Sequence, residues 1–452
     1  MNWLKGLALG VLCLAPSLVS AEDLGAGRIS FIQGQAQIQP AGAKDWQVAS
    51  VNVPVRAGDR FWTPEEARLE LQFQNGTVVR LDTKSTLDVL SLTEDAMQFH
   101  LSMGHLLFRT SRKPAKIIQV DLPDSSLVVQ DKALFRVDIT PDGGEEFGIF
   151  QGAMEIATSG SKTRIRTGEM LSLENGSSEV SPLKAADEWE QWNTDRDREQ
   201  MRAAAASPYL PPELNVYADD LNRNGEWVNV PDYGYCWTPR VGISLGWAPF
   251  RFGSWLWMDD DWLWVSSEPW GWAPYHYGRW TYYSNRWCWV PPLRGEIHWG
   301  HGYVGWIHTP RYIGWVPLAP GEEFRRGVPF RGQFHNVPHA GASTVVERGG
   351  FASGRMVPIN PRENIFAAGK HQVGSPDIRP AGNLHVGPAV SANRLPSKAI
   401  RSQDIRQIRQ QHPQLRVVPP QTHQYRQGYR NSERGQIVRG QPRPAMVQPQ
   451  PA

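Results

Sequence analysis

The region from Trp227 to Trp315 constrains the fold more than any other part of the chain, because it holds fifteen of the twenty tryptophans and repeats itself. The run Trp247-Ala-Pro-Phe-Arg-Phe-Gly-Ser-Trp255 recurs twenty-five residues later as Trp272-Ala-Pro-Tyr-His-Tyr-Gly-Arg-Trp280. Aromatic residues two positions apart share one face of a β-strand, and the surrounding Pro and Gly residues are typical of turns. A lone hairpin is marginally stable in water. The repeat therefore predicts two to four stacked β-hairpins within residues 213–320.

Two interpretations of these tryptophans remain open. An aromatic side chain buries about 150–250 Å², so the indoles can form the core of the hairpin domain, which is the favoured interpretation. Fifteen indoles are more than so small a core needs, however, and exposed aromatic patches usually mark binding surfaces. The second interpretation gives a candidate aromatic binding face for sugars or other planar ligands, formed by Trp255, Trp257, Trp262, Trp264, Trp280 and Trp287.

The first twenty-one residues predict a secretory signal peptide. Lys5 supplies the positive start, residues 7–14 form an apolar run, and small residues up to Ala21 form a cleavage site. No other segment approaches the eighteen uninterrupted apolar residues of a membrane-spanning helix, so none is expected. We therefore predict a periplasmic or secreted protein.

Charge divides the chain into an acidic body and a basic end. Residues 22–320 carry 27 Lys and Arg against 38 Asp and Glu, whereas residues 321–452 carry 19 against 7. The second segment is rich in Pro, Gly, Gln and Arg, and such a composition buries too little apolar surface to fold. The sequence predicts a disordered basic tail over 321–452. Its arginines could bind an anionic partner (lipopolysaccharide, nucleic acid or the protein's own acidic body) or simply be solvated.

Residues 24–182 predict an all-β domain. Apolar and polar residues alternate, as in half-buried strands, at 28–32, 68–73, 78–81 and 116–120. Asn75-Gly76 between two such runs is a strong hairpin signal. Short strands at this spacing indicate a sandwich, a barrel or a β-solenoid.

Four motifs in this domain resemble the FecR domain: Ala57-Gly-Asp-Arg-Phe-Trp-Thr63, Phe73-Gln-Asn-Gly-Thr77, Leu101-Ser-Met-Gly-His-Leu-Leu-Phe108 and Gln151-Gly-Ala-Met-Glu155. Residues 163–173 resemble the closing strand pair of that domain. One departure is Lys132-Ala-Leu, where the family usually has Gly-Thr. The resemblance implies a β-fold. The family's best-known role is relaying a periplasmic signal to a sigma factor. It is not expected to carry over, since no sigma-binding segment or membrane span precedes the domain.

Residues 183–206 predict a helical connector, because Glu188, Trp189, Trp192, Arg196 and Glu199 recur at helical spacing. The run Asp187-Glu-Trp-Glu-Gln-Trp-Asn193 and the motif Tyr235-Cys-Trp-Thr-Pro239 resemble a group of exported bacterial proteins. These proteins pair a FecR domain with a Trp-rich domain that bears a Tyr-x-Trp-x-Pro motif. The resemblance implies architecture but no mechanism.

Two short motifs match functional patterns poorly. Gly242-Ile-Ser244-Leu-Gly246 has the spacing of a hydrolase nucleophile, but no strand–helix alternation surrounds it. Asp220-Leu-Asn-Arg-Asn-Gly225 opens like a calcium loop, yet Pro231 occupies the position of the closing Glu. A coincidental match for the first motif and a simple turn for the second are the favoured interpretations.

Histidines and acidic residues in the Trp-rich region give no clear site. His298, His301 and His308 have no Cys or carboxylate at ligand spacing beside them. The run Asp259-Asp-Asp261 predicts a hairpin loop, with a sugar- or cation-binding acidic tip as the alternative. We therefore predict no catalytic, cofactor or metal site.

Cys236 and Cys288 are the two cysteines that remain after removal of the signal peptide, since Cys13 lies inside it. Each precedes a Trp in a related repeat position, and exported proteins commonly form disulfides. The pair predicts one disulfide; the alternative is two thiols buried as small apolar groups.

Together these patterns predict a mainly β protein with a FecR-like domain, a helical connector, a Trp-rich hairpin domain and a disordered tail. The favoured function is a non-enzymatic, envelope-associated binding or scaffolding protein, with glycan or peptidoglycan as the sharper hypothesis for its ligand. The alternative is a periplasmic signalling partner of a separate membrane sensor. Neither the oligomeric state nor the ligand follows from the sequence.

Overall fold

The computed structural model describes residues 27–93, 96–111, 113–114, 117–243, 247–258, 260–323, 333–339, 341–354, 356–360, 365–366 and 372–378. The predicted signal peptide and residues 379–452 of the predicted tail lie outside these residues. The described part is mainly β, which confirms the predicted fold class.

Seventeen strands make up the N-terminal domain in the described residues. They are β1 (Gly27–Gln33), β2 (Gln37–Gln39), β3 (Gln47–Val48), β4 (Pro54–Val55), β5 (Arg60–Thr63), β6 (Arg68–Gln72), β7 (Val78–Leu81), β8 (Ser85–Leu92), β9 (Ala96–Arg109), β10 (Ile117–Asp121), β11 (Ser125–Val129), β12 (Leu134–Ile139), β13 (Glu145–Gln151), β14 (Ala153–Thr158), β15 (Lys162–Arg166), β16 (Glu169–Glu174) and β17 (Ser177–Pro182).

These strands form two sheets that share the long strand β9. Sheet A has the order β4-β1-β6-β7-β9-β12-β13-β16-β17, and sheet B has the order β3-β2-β5-β8-β9-β10-β11-β14-β15. The described pairings are antiparallel except for β9 with β10. Strand β9 passes from one sheet to the other at Gly104, which has a φ of +87°. A side chain there would lie 2.5 Å from the Ser85 backbone, so this crossing requires glycine.

One aliphatic core fills the space between the two sheets. Alternation places Phe135, Val137 and Ile139 of β12 inward, while Arg136 and Asp138 point outward. Inward residues from both sheets belong to a single cluster dominated by Leu, Ile, Val and Phe. The domain is therefore a β-sandwich, one of the three architectures that the sequence left open.

The predicted connector is a helix, α1 (Glu188–Ala205), which begins at a capping box formed by Asp187 and Glu190. It lies against the outer face of sheet A. Trp192 contacts the Phe31 ring with centroids 5.6 Å apart, and the Arg136 guanidinium lies 4.9 Å from the Trp189 ring. The helix prediction is confirmed, but α1 is also an integral part of the N-terminal domain's packing.

The rest of the described chain contains short helices and ten further strands. They are the 3₁₀ helices Pro212–Tyr217 and Arg240–Ile243, α2 (Ala218–Asn224), α3 (Trp272–His276), α4 (Arg348–Ala352), β18 (Gly225–Val230), β19 (Gly234–Pro239), β20 (Gly253–Met258), β21 (Asp261–Ser266), β22 (Arg279–Tyr283), β23 (Arg286–Val290), β24 (Val304–His308), β25 (Tyr312–Pro317), β26 (Thr344–Glu347) and β27 (Gln372–Val373).

Four successive hairpins, β18–β19, β20–β21, β22–β23 and β24–β25, form the Trp-rich domain in the described residues. Each contains a pair of tryptophans directly opposite each other: Trp227 and Trp237, Trp255 and Trp264, Trp280 and Trp289, Trp306 and Trp315. Cross-strand aromatic pairs stabilise antiparallel strands by up to about 1 kcal/mol each. The hairpin prediction is therefore confirmed.

A glycine two residues before the first tryptophan makes room for the second indole in three of these hairpins. A side chain at Gly225 would lie 2.3 Å from the Trp237 ring, and one at Gly253 would lie 2.7 Å from the Trp264 ring. The Gly-x-Trp pattern thus has a steric cause: the indole of the second strand lies over backbone where any Cβ would collide with it.

The folded region extends beyond the boundary predicted at residue 320. Strand β26 pairs with β25, and β27 pairs with β24. Phe334, Phe351 and Ile365 are buried in the aromatic core, and Asn336 donates hydrogen bonds to the Trp280 and Pro317 carbonyls. The predicted boundary is wrong because these scattered apolar residues have no periodicity that sequence reasoning could detect.

Candidate functional site

The predicted aromatic binding face is not available on the folded surface. Five of its six tryptophans are at most 4% exposed, and Trp257 alone of the six is half-buried. Trp255 illustrates the cause, since its ring contacts those of Trp264, Trp306 and Trp315 at centroid distances of 4.5–5.8 Å. The indoles pack against one another as core residues. The core interpretation is confirmed, and the binding-face interpretation of these residues is wrong.

Some buried indole N–H groups find backbone acceptors within this core, whereas those of Trp255, Trp264 and Trp287 have none among the described residues. Trp237 donates to the Leu221 carbonyl at 3.0 Å, Trp289 to the Tyr277 carbonyl at 2.7 Å and Trp315 to the Phe250 carbonyl at 2.8 Å. Each of these tryptophans is the second member of a hairpin pair. The hydrogen bonds fix helix α2 and two connections between hairpins to the core, and each satisfies a buried donor that would be costly to leave unpaired.

The structure tests two of the three short motifs, the calcium-loop pattern and the acidic hairpin loop, and leaves the nucleophile motif untested. Asp220 lies in helix α2 and pairs with Arg28, so its segment is neither a calcium loop nor the turn that the sequence favoured. Asp260, with a φ of +60°, lies in the tight connection between β20 and β21, as the hairpin prediction requires. Ser244 and Asp259 lie outside the described residues.

In the described part of the chain, no three His, Cys, Asp or Glu side chains group closely enough to hold a metal ion. His298, His301 and His308 accordingly do not form a metal-binding group there. Among the described residues, none of the helices combines the length and hydrophobicity that crossing a bilayer requires.

Cys236 and Cys288 are both buried and are free thiols, so the predicted disulfide is not present in this structure. They nevertheless belong to one small apolar cluster with Val230, on the outer face of the β19–β23 strand pair. Burial raises the pKa of Cys236 to about 12 and that of Cys288 to about 11. Because thiolates are the reactive form, both groups behave as small apolar side chains in this state.

A buried charge network joins α1 to sheet A. Glu70 and Arg80 are fully buried on sheet A and bond to each other at 2.7 Å. From α1, Arg196 bonds to Glu70 at 2.7 Å and Asp197 bonds to Arg80 at 2.6 Å. Burial alone would raise the pKa of Glu70, but the two guanidiniums hold this pKa well below its ordinary value. Each charge has a partner, which is the condition for stable burial.

Further polar contacts join the sandwich to the Trp-rich domain. Arg28 on β1 forms an ion pair with Asp220 on α2. Gln72 donates to the Val216 carbonyl at 3.0 Å. Asn52 donates to the Glu268 carbonyl at 2.7 Å and accepts a hydrogen bond from Arg28 at 2.8 Å. The two domains therefore meet at a specific polar interface.

Glu268 lies beside this interface, at the edge of the aromatic core. Its carboxylate accepts hydrogen bonds from Trp247 Nε1 at 2.7 Å and from the Tyr275 hydroxyl at 2.5 Å. Burial raises the pKa of Glu268 to about 7, and the hydrogen bonds from Tyr275 and Trp247 oppose this shift. Within the described residues no cation pairs with this carboxyl group, so desolvation prevails.

Aromatic residues do reach the surface at a different place, where the chain leaves α1 and meets hairpin β18–β19. Tyr209 and Tyr235 are 40% and 36% exposed and stack in parallel, with ring centroids 3.7 Å apart. The Trp227 ring lies 5.8 Å from Tyr209 and is half-buried. We call these three residues and the exposed Asn229 the tyrosine patch.

Sequence reasoning missed the tyrosine patch, the charge network and Glu268. Tyr209 sits in a Pro-rich connection whose packing no local pattern indicates. For the charge network, a weak signal existed: Arg196 and Asp197 lie in a helix that follows a domain with polar residues on outward strand positions. Pairing them with residues more than 110 positions away requires the fold.

Comparison with known proteins assigns families to both domains. Residues 59–155 match the FecR protein family, and residues 218–322 match a family of unknown function, DUF6600. The resemblance stated from the sequence is therefore confirmed: this is an FecR-domain protein with a C-terminal domain of unknown function.

Two solved structures, both of a proposed anti-sigma factor from Parabacteroides distasonis, are similar to part of the chain. Their sequence identities are 18% and 19%, and the TM-score is 0.26 in each case. The similar region covers 28% of this chain and 60% of each of those chains. No match is found among curated proteins.

Proposed function

We propose that this FecR-domain protein is a non-catalytic binding protein of the bacterial cell envelope, and that its FecR domain is the partner of a separate membrane sensor. The observation that carries the proposal is a FecR-like sandwich joined to a second β-domain through the buried side chains of Arg28 and Asn52. Such a contact holds two binding modules in one orientation. The protein then acts as a rigid adaptor that presents its second domain to a ligand.

Helix α1 restricts where a partner binds to the FecR domain. It covers the outer face of sheet A through Trp189, Trp192 and Arg196. The edge of that sheet is different, because β17 pairs with β16 alone among the described strands and Val180 is 50% exposed. An unpaired edge offers backbone N–H and C=O groups to an added strand. We assign the sensor contact to β17.

Cross-linking in cells tests the proposal with the full-length protein. The unaltered chain is expected to recover a membrane protein, and Val180→Lys is expected to lower that recovery by at least about tenfold, the equivalent of 1.4 kcal/mol. Val241→Lys is the matched control, because Val241 is similarly exposed (42%) on the other domain. Recovery of no membrane protein by the unaltered chain contradicts the signalling role.

The non-catalytic part of the proposal has its own test. Ser244 is the residue whose motif comes nearest to a nucleophile. We expect no covalent labelling of the purified protein by a fluorophosphonate probe. Labelling that Ser244→Ala abolishes would show that the protein is a hydrolase.

A further inference from the structure

The tyrosine patch has the composition of a ligand surface rather than of an ordinary exposed strand. Antiparallel register places Asn229 opposite Tyr235 and Trp227 opposite Trp237, so the side chains of these four residues share one face of the hairpin. Tyr209 stacks on that face from outside the sheet. Two aromatic rings and an amide are thus presented together.

The patch offers both apolar and polar contacts to a ligand. The stacked tyrosines are more than a third exposed, and Trp227 supports Tyr209 from below through an inclined ring contact. Asn229 is exposed, and its side chain makes no hydrogen bond within the described part of the chain. An unengaged amide supplies two donors and an acceptor beside an aromatic surface.

The absence of charged side chains in the tyrosine patch restricts the class of ligand that it can bind. None of the four patch residues is charged, and the neighbouring Glu226 projects from the opposite face, where it pairs with Arg286 at 3.0 Å. The patch therefore provides nothing to neutralise an anionic polymer. A ligand that fits has apolar C–H faces to stack on the rings and hydroxyl or amide groups around its rim, which describes an uncharged sugar ring.

We propose that the tyrosine patch is a carbohydrate-binding surface, with Tyr209 and Tyr235 stacking against sugar rings and Asn229 hydrogen-bonding to their hydroxyl or acetamido groups. The ligand class is a neutral glycan of the kind that forms the backbone of cell-wall polymers. This inference deepens the proposed envelope-binding function by assigning a ligand class to the second domain. It places that ligand outside the six tryptophans that the second interpretation of the sequence gave as a binding face.

The test uses the purified full-length protein with two probes, so its outcome does not depend on a membrane partner. The probes are insoluble peptidoglycan in a sedimentation assay and a soluble N-acetylglucosamine hexamer in calorimetry. We expect both to bind. Tyr209→Ala and Tyr235→Ala are expected to weaken binding about tenfold, and Asn229→Ala about threefold, as removal of stacking and of one neutral hydrogen bond would.

The matched control is Tyr283→Ala, because Tyr283 is also 40% exposed but lies on β22, away from the patch. It is expected to bind like the unaltered protein, and circular dichroism checks that each variant is folded. Binding of peptidoglycan alone places the ligand in the intact polymer, and binding of both probes places it in the sugar chain. Either result supports the proposal.

Three results would overturn it: no binding of either probe, equal binding by all variants, or an equal loss with Tyr283→Ala. A peptide spanning residues 438–452, which contains Gln441-Pro-Arg-Pro444, provides the competing occupant, since aromatic grooves also bind Pro-rich segments. If that peptide binds at Tyr209 and Tyr235 and the glycans do not, the carbohydrate assignment is wrong. Cross-linking to a membrane sensor would be unaffected by any of these results.

Discussion

The FecR-like sandwich and the Trp-rich domain are both antiparallel β structures, but they fill their cores in different ways. The sandwich buries Leu, Ile, Val and Phe between two broad sheets that share strand β9. The Trp-rich domain has sheets of four, two and four strands in its described residues, and its core is made of indole and phenol rings. Strand pairing in broad sheets holds the first domain together, whereas contacts between aromatic rings hold the second domain together.

Hairpin β20–β21 shows what this difference teaches. It forms a two-stranded sheet of its own, and such a hairpin is marginally stable in water. Trp255 and Trp262 anchor it instead, the first against Trp306 at 4.5 Å and the second against Phe351 at 4.6 Å. Large rings reach between sheets whose strands do not pair with one another in the described part of the chain. A small β-domain can therefore be assembled from separate hairpins when each supplies a tryptophan pair.

The largest expected effect comes from removing one of these anchors. Trp255→Ala should destabilise the protein by about 3–5 kcal/mol, because it opens a cavity among four packed rings. Denaturant unfolding followed by tryptophan fluorescence measures this loss. Trp257→Ala is the control, since Trp257 is half-buried and should cost less. Equal losses of unfolding free energy in the two variants would mean that contacts between buried rings do not stabilise the domain.

The buried charge network under helix α1 is expected to give the next largest effect. Arg80→Ala removes one partner of Asp197 and one of two guanidiniums at Glu70, so about 3 kcal/mol of unfolding free energy should be lost. Denaturant unfolding measures this loss. Lys84→Ala, which removes an exposed ion pair with Glu65, should have no measurable effect. An unchanged unfolding free energy for Arg80→Ala would argue against a stabilising role of the charge network.

The smallest effect concerns pH and the edge of the aromatic core. The pKa of Glu268 is raised to about 7 in the folded protein, so its contribution to stability is present at low pH and is lost as the pH rises from about 4.5 through 7. Glu268→Gln should remove this dependence, because the amide can accept from Trp247 and donate to the Tyr275 hydroxyl.

We therefore expect Glu268→Gln to match the unaltered protein at pH 5 and to exceed its stability at pH 8 by on the order of 2 kcal/mol. Thermal unfolding at the two pH values measures the difference. A parallel pH dependence in both proteins would place the titrating group elsewhere.

Much of the fold could be predicted from local patterns. Alternation in residues 68–73 and 78–81 and the Asn75-Gly76 turn predicted the β6–β7 hairpin, which the structure confirms. The helical spacing of residues 188–199 likewise predicted α1. The candidate site was predicted less well, because the repeat shows that Trp255 and Trp264 lie on strands but not which environment their side chains face.

The sequence by itself determined the β class, the position of α1 and the hairpins of the Trp-rich domain, since neighbouring residues encode strand alternation, helical period and turns. Only the tertiary structure decided that the tryptophans are core and that Phe334, Phe351 and Ile365 contribute to that core. It alone placed Arg196 beside Glu70 and Tyr209 beside Tyr235. Those outcomes depend on burial and on contacts between residues far apart in the chain, and no local pattern records which distant surface a side chain meets.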